Sequence, residues 1–170
     1  MEIQIDTREK KKEVERIERQ FDKLGIKHFR SKLYCGDYMN LNNARLVVDR
    51  KQDLAEVCTN ICQQHERFRR ELMRAKEMGI FIIILVEHGT EIEKLEDVYF
   101  WVNPRSLPSQ WVMRDGHPVK VPESPNAVTG PQLYKALCTI QERYDVRFEF
   151  CAKKDTGEKI VKLLGGEQDA

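Results

Sequence analysis

The chain has 170 residues, 41% of them apolar and 34% charged, which is enough to bury one proper core and leaves little room for a second domain. Its 29 lysines and arginines almost cancel 28 aspartates and glutamates, so the net charge of +1 makes no global case for a polyanionic partner; any nucleic-acid signal has to be local. A mean hydropathy of -0.60 and the lack of a long apolar run argue against a membrane-spanning helix, and Met1-Glu2 runs into a short strand without the layout of a secretory signal, so an intracellular protein is expected.

Glu2 to Asp6 alternates around Ile3 and Ile5 as a half-buried strand does. Lys10 to Leu24 follows with helical spacing, placing Val14, Ile17, Phe21 and Leu24 on one face, and Gly25 is a natural stop. Ile26 to Leu33 predicts a second strand, Met39 to Leu41 a third and Arg45 to Arg50 a fourth, with Asn42-Asn43 as a hairpin-like turn between the last two. From Leu54 to Ala75 the apolar residues Leu54, Val57, Cys58, Ile61, Phe68, Leu72 and Ala75 predict one long helix ending by Gly79, with His65 as a packed residue at the core edge. Ile80 to Val86 is an unbroken apolar run rich in β-branched residues, the pattern of a central strand covered on both faces.

Asp97 to Gly130 differs in character, with five of the six prolines, both tryptophans and Asp115-Gly116 but no sustained periodicity. It is expected to be a long loop or insertion, with Trp101 and Trp111 pinning it to the core in preference to stacking on bases. Leu133, Leu137, Ile140 and Tyr144 mark a further helix, Val146 to Cys151 a strand, and Asp155 to Leu164 a last helix opened by an Asp155–Glu158 capping box. Strands alternating with helices imply a single α/β domain, a mixed central sheet flanked by helices. The five cysteines are scattered, and although Cys58 and Cys62 stand four apart, no second Cys/His pair completes a zinc site; they are expected to be structural thiols.

The chemistry concentrates near the strand ends, where Asp6, Asp37 and Asp49 appear in succession with Lys51 two residues beyond the last. Residues two apart in a strand share a face, so Asp49 and Lys51 project together while Arg50 turns away. A hard divalent cation takes carboxylate oxygens and can lower the pKa of an attacking water at a scissile phosphate, a role that suits Asp37 and Asp49. Lys51 can orient that water or offset charge on the phosphate. Singly, each acid is as well explained as a turn former or a surface ion pair; it is the combination that carries the signal.

A local basic patch lies on the long helix. Gln63, Arg67, Arg70 and Arg74 recur opposite the apolar stripe, and between His65 and Lys76 five basic residues face two acidic ones, a local charge of +3. Such a face can track a phosphate backbone, and it can equally be an ordinary solvated face. The Lys10-Lys11-Lys12 run is expected to be a solvated helix start.

Asp6-Thr7-Arg8-Glu9 at a strand end, Gly36-Asp37-Tyr38, and Val48-Asp49-Arg50-Lys51 followed by Asp53-Leu54 together resemble the nuclease domain of the XPF/Hef family within the PD-(D/E)XK nuclease superfamily. The resemblance extends over Gly79 to Glu87 and Gly130 to Leu164. It implies a restriction-endonuclease-like core and a metal-dependent DNA endonuclease, acting on branched, flap or fork DNA. By resemblance Asp37 and Asp49 are the ligands of Mg²⁺ or Mn²⁺, Lys51 is the catalytic lysine, and Asp6 and Glu9 are supporting acids. Arg50 is also a family position, a candidate for DNA contact or for a structural ion pair. The family usually has Glu-Arg-Lys where this chain has Asp49-Arg50-Lys51, and its next Asp stands two positions beyond Asp53. The helix-hairpin-helix module that such nucleases use for dimerisation is not among these residues, so a homodimer is an open expectation beside DNA as partner. Two rival readings are a non-cleaving DNA- or partner-binding scaffold of the same fold and a resolvase or restriction-like nuclease of a mobile element.

Overall fold

A computed structural model describes residues 1–9, 11–89 and 91–165. Lys10, where the first helix was expected to begin, lies outside them. The chain runs β1 (Glu2–Ile5), α1 (Lys11–Lys23), β2 (Lys27–Arg30), β3 (Tyr38–Asn40), β4 (Asn43–Lys51), α2 (Leu54–Cys62), α3 (His65–Glu77), β5 (Phe81–Glu87), β6 (Pro108–Arg114), β7 (His117–Pro122), α4 (Gly130–Tyr144), β8 (Val146–Cys151) and α5 (Thr156–Gly165). Six strands form one mixed sheet in the order β2-β1-β3-β4-β5-β8. β3 is antiparallel to both β1 and β4, while β4, β5 and β8 run parallel. This is the mixed α/β sheet flanked by helices that the alternation of patterns predicts.

Strand alternation divides the core into two layers. Val47, Ile82, Ile84, Val86 and Phe148 pack under α2, α3 and α4, while Val48, Ile83 and Leu85 pack with β1 under α1 and α5. β5 is buried on both faces because it lies between two parallel neighbours and beneath helices on each side. Burying its Ile82, Ile83, Ile84, Leu85 and Val86 side chains, each at most 1% exposed, stabilises the fold by roughly 1.5–3 kcal/mol apiece.

The structure departs from the sequence expectation in four places. The helix expected over 54–75 is two helices, because the apolar stripe has nothing to bury at Gln63, Gln64 or His65, and both Gln63 N and Gln64 N turn back to Thr59 O. His65 is accordingly an exposed residue opening α3, not a packed one. The stretch without periodicity carries a β6–β7 hairpin as a separate two-stranded sheet. Trp101 is buried at its start, whereas Trp111 on the hairpin is 68% exposed and pins nothing. Finally, Asp155 closes a 3-10 turn, and the following helix is tied down by the Thr156 hydroxyl donating to Glu87 Oε1 at 2.6 Å. No described helix is long and apolar enough to cross a membrane.

Candidate active site

Three strand ends deliver the acidic residues to one place. Gly36 has φ +67, and a Cβ there would lie 3.0 Å from Val47 Cγ2 and 3.3 Å from Val48 O, so only glycine lets the chain turn tightly against β4. Asp37 is then held from both sides: its N donates to Val48 O at 2.9 Å, and its own carbonyl accepts from Asp6 N at 2.8 Å. Its side-chain Oδ2 accepts from Arg50 N at 2.7 Å, while Oδ1 accepts no protein hydrogen bond among the described residues. Asp49 and Lys51 leave β4 on the same face, and the Lys51 ammonium spans the Asp49 carboxylate, 3.0 Å from Oδ1 and 2.8 Å from Oδ2.

These groups border a cavity of about 330 Å³ roofed by α2 and α3, which contribute Glu56, Glu71, Arg67 and Arg74. Its electrostatics follow from burial and crowding. Burial, then the neighbouring Asp49 and Glu9, push the Asp37 carboxyl well above the usual carboxylate range. Burial opposes the charge on Lys51, but Asp49 and Asp37 outweigh it and raise the ammonium above its ordinary value, so it stays protonated. Burial likewise raises Glu9 despite its bonds to Arg50.

Asp6 does a different job. Burial works against its charge, but the Arg8 side chain and the amides of Arg8 and Leu33 overcome that and lower it. Its Oδ1 takes Arg8 N at 2.6 Å and Arg8 Nε at 2.9 Å, and its Oδ2 takes Arg8 Nη2 and Leu33 N, each at 2.8 Å. With both oxygens engaged, Asp6 fastens the end of β1 to the loop before β3 and aims Arg8 at the cavity.

Arg50, read from the sequence as a candidate for DNA contact or for a structural ion pair, makes ion pairs. Its side chain is 2% exposed on the opposite face of β4, with Nε and Nη2 donating to Glu9 Oε2 at 3.1 and 2.9 Å and Nη1 to Glu87 Oε2 at 3.2 Å. Glu87, which ends β5, also receives Arg16 of α1 and Thr156 of α5. The guanidinium is a buried tie between sheet and helices. Arg67, Arg70 and Arg74 are all exposed on α3. Arg67 and Arg74 line the cavity, whereas Arg70 lies outside its wall and donates Nε to Glu66 O at 3.1 Å.

Sequence reasoning missed Glu56, Glu71, Glu87 and Arg8. Glu87 was signalled by a carboxylate closing an otherwise apolar buried strand, and Glu56 by its place three residues after Asp53. Asp53 is an exposed N-cap, accepting from Glu56 N at 2.8 Å, and so is occupied with starting α2. No group of three or more His, Cys, Asp or Glu residues among the described residues forms a metal cage. The donors at hand are the Asp37 and Asp49 carboxylates beside open space, which fits Mg²⁺, since that ion keeps several waters and is commonly held by one or two carboxylates plus a phosphate. The free Asp37 Oδ1 and the crowding that raises this carboxyl are what a cation would relieve.

Residues 5–163 match the family described as the ERCC4 domain. The chain belongs to the ERCC4 domain family. No curated protein matches the chain. Among solved structures, XPF from Aeropyrum pernix superposes with a TM-score of 0.61 at 19% identity, over 98% of this chain and 66% of that one. A second structure, XPF from Aeropyrum pernix in complex with DNA, gives 0.61 at 18% identity over 96% and 63%. The chain thus shares the XPF fold and spans just under two thirds of the length of these structures.

Proposed function

We propose that this ERCC4 domain is a divalent-metal-dependent DNA endonuclease whose active site is Asp37, Asp49 and Lys51, with branched, flap or fork DNA as substrate. The observation that carries the reading is the convergence of those three side chains on one cavity whose roof supplies Arg67 and Arg74. Family membership supports a nuclease, and the DNA in the Aeropyrum XPF complex supports DNA as the ligand.

The chemistry assigned to each residue follows from its position. Mg²⁺ or Mn²⁺ held by Asp37 and Asp49 would polarise the scissile phosphate and lower the pKa of the attacking water. Lys51, kept charged and aimed by Asp49, donates hydrogen bonds to the water and to the phosphoryl oxygens as negative charge grows on them. Arg67 and Arg74 hold the flanking phosphates, and Arg8 lines the same cavity. Glu9 and Arg50 act through the backbone by fixing β4, which sets where Asp49 and Lys51 stand.

The test is cleavage of a panel of flap, fork, four-way and linear DNA in Mg²⁺, in Mn²⁺ and in EDTA. Metal-dependent scission, greatest on branched substrates and lost in Asp37→Asn, is expected. Intact DNA under every condition at micromolar enzyme refutes the enzymatic reading and leaves the non-cleaving scaffold. Equal cleavage of linear duplex refutes the structure preference alone.

A further inference from the structure

The β6–β7 hairpin takes no part in the site described above, yet it is built with care. β6 and β7 pair only with each other, closed by a two-residue turn in which Asp115 and Gly116 both have positive φ, 50 and 80, as tight hairpins with right-handed twist require. Its two stems are tied to each other at the root. Ser124 N donates to Arg105 O at 2.9 Å, Arg105 pairs with Glu123 at 3.0 Å, and the buried Asn103 donates to Val128 O at 3.1 Å. Beyond that root, Trp111 and Met113 are each 68% exposed.

The register places Trp111 opposite Lys120 and Met113 opposite Pro118, so these four side chains share one face. The Lys120 ammonium lies 5.8 Å from the centre of the Trp111 ring. Arg114 and His117 flank the turn, and Asp115 is the hairpin's only carboxylate. An exposed aromatic ring with a cation over one face can hold a nucleobase by stacking on the other face and the adjoining phosphate by charge. A lone Trp protruding from a narrow ribbon can stack only on a base whose face is free, which the interior of a paired and stacked duplex does not offer.

The hairpin's location points the same way. A space of about 180 Å³ between its root and α2 is lined by Arg105, Ser124 and Thr59, and Thr59 also lines the catalytic cavity. The space at the hairpin's root and the cavity thus meet at Thr59 of α2.

We propose that the β6–β7 hairpin is a second DNA-contacting element that stacks an unpaired base of the substrate on Trp111, with Lys120 and Arg114 taking the adjoining phosphates. The inference rests on the reading of the protein as DNA-binding, and it adds a specific reason for preferring DNA with a single-stranded arm.

The test measures binding in EDTA by fluorescence anisotropy, comparing a labelled forked DNA with a blunt duplex of the same sequence. Trp111→Ala is expected to weaken binding of the fork by about 5- to 100-fold and of the blunt duplex by no more than about twofold. Trp111→Phe, which keeps an aromatic face, should restore the fork to within about threefold of the parent. Because Trp111 is solvent-exposed, both variants should melt with the parent. Equal weakening on both DNAs, or no change on the fork, overturns the proposal. A fall in sedimentation mass of Trp111→Ala at unchanged DNA affinity also overturns it, and assigns the face to a second copy of the chain. Parent protein that binds neither DNA refutes this proposal and the nuclease reading together. Fork binding that needs Trp111 but is followed by no scission in Mg²⁺ upholds the hairpin's role and refutes only the enzymatic reading.

Discussion

Consecutive residues of β4 send charge to both sides of the sheet, Asp49 and Lys51 toward α2 and α3, Arg50 toward α1 and α5, and the two sides handle it differently. On the Arg50 side the arginines are answered by protein. Arg50 sits between Glu9 and Glu87, and Glu87 is shared with Arg16 and Thr156. On the other side, among the described residues, one Asp37 oxygen accepts no hydrogen bond, its carboxyl is pushed up by burial and by Asp49 and Glu9, and Arg67 and Arg74 line the cavity without an ion pair of their own. Charge that the fold satisfies is structural, and charge that it leaves unsatisfied beside a cavity is available to a ligand.

That contrast can be broken experimentally, and the largest effect belongs to the open side. Asp37→Asn and Asp49→Asn should each lower metal-dependent cleavage by about a thousandfold or more on the proposed reading, since the amide keeps the shape and removes the charge that would hold the cation. The Tm of Asp37→Asn should stay level or rise, because a crowded buried carboxylate is gone. Activity near the parent's in both variants refutes the site.

On the closed side the loss should appear in stability. Glu87→Ala leaves Arg50 and Arg16 facing each other without their shared acid, and removing one partner of a buried ion pair costs about 3–5 kcal/mol, readable by urea unfolding. An unchanged midpoint would show that the network is dispensable. Lys51→Ala tests whether the ammonium is chemical or structural: turnover should fall about a hundredfold, while Mn²⁺ affinity by calorimetry should equal or exceed the parent's, as a repelling charge has left. Collapse of metal affinity would make Lys51 an organiser of the site. The smallest effect is expected of Arg67→Ala with Arg70→Ala. The slope of log affinity against log salt should flatten by about two units if both touch phosphate and about one if only Arg67 does, which its place on the cavity wall favours.

Much of this was legible in the sequence because short-range rules govern it. Period-two alternation and apolar runs located the main-sheet strands, and the two-residue spacing of Asp49 and Lys51 placed both on one face with Arg50 opposite. What was not legible depended on tertiary partners. No local pattern says that Arg50 meets Glu9 and Glu87, 41 and 37 residues away, so the sequence left it open between a DNA contact and a structural ion pair. The break at Gln63-Gln64 was hidden because apolar residues on either side keep helical spacing across it. The hairpin was hidden because its ribbon is exposed on both faces, and strand alternation shows only where one face is buried.

Gly36 carries no chemistry, yet every amino acid that one base change can make from a glycine codon brings a Cβ, and Val47 and the backbone of Val48 leave no room for it at a positive φ. A point mutation there moves the peptide that presents Asp37 without touching Asp37 itself. A residue that no inventory of acids and bases would name is therefore a fragile position of the site under genetic drift.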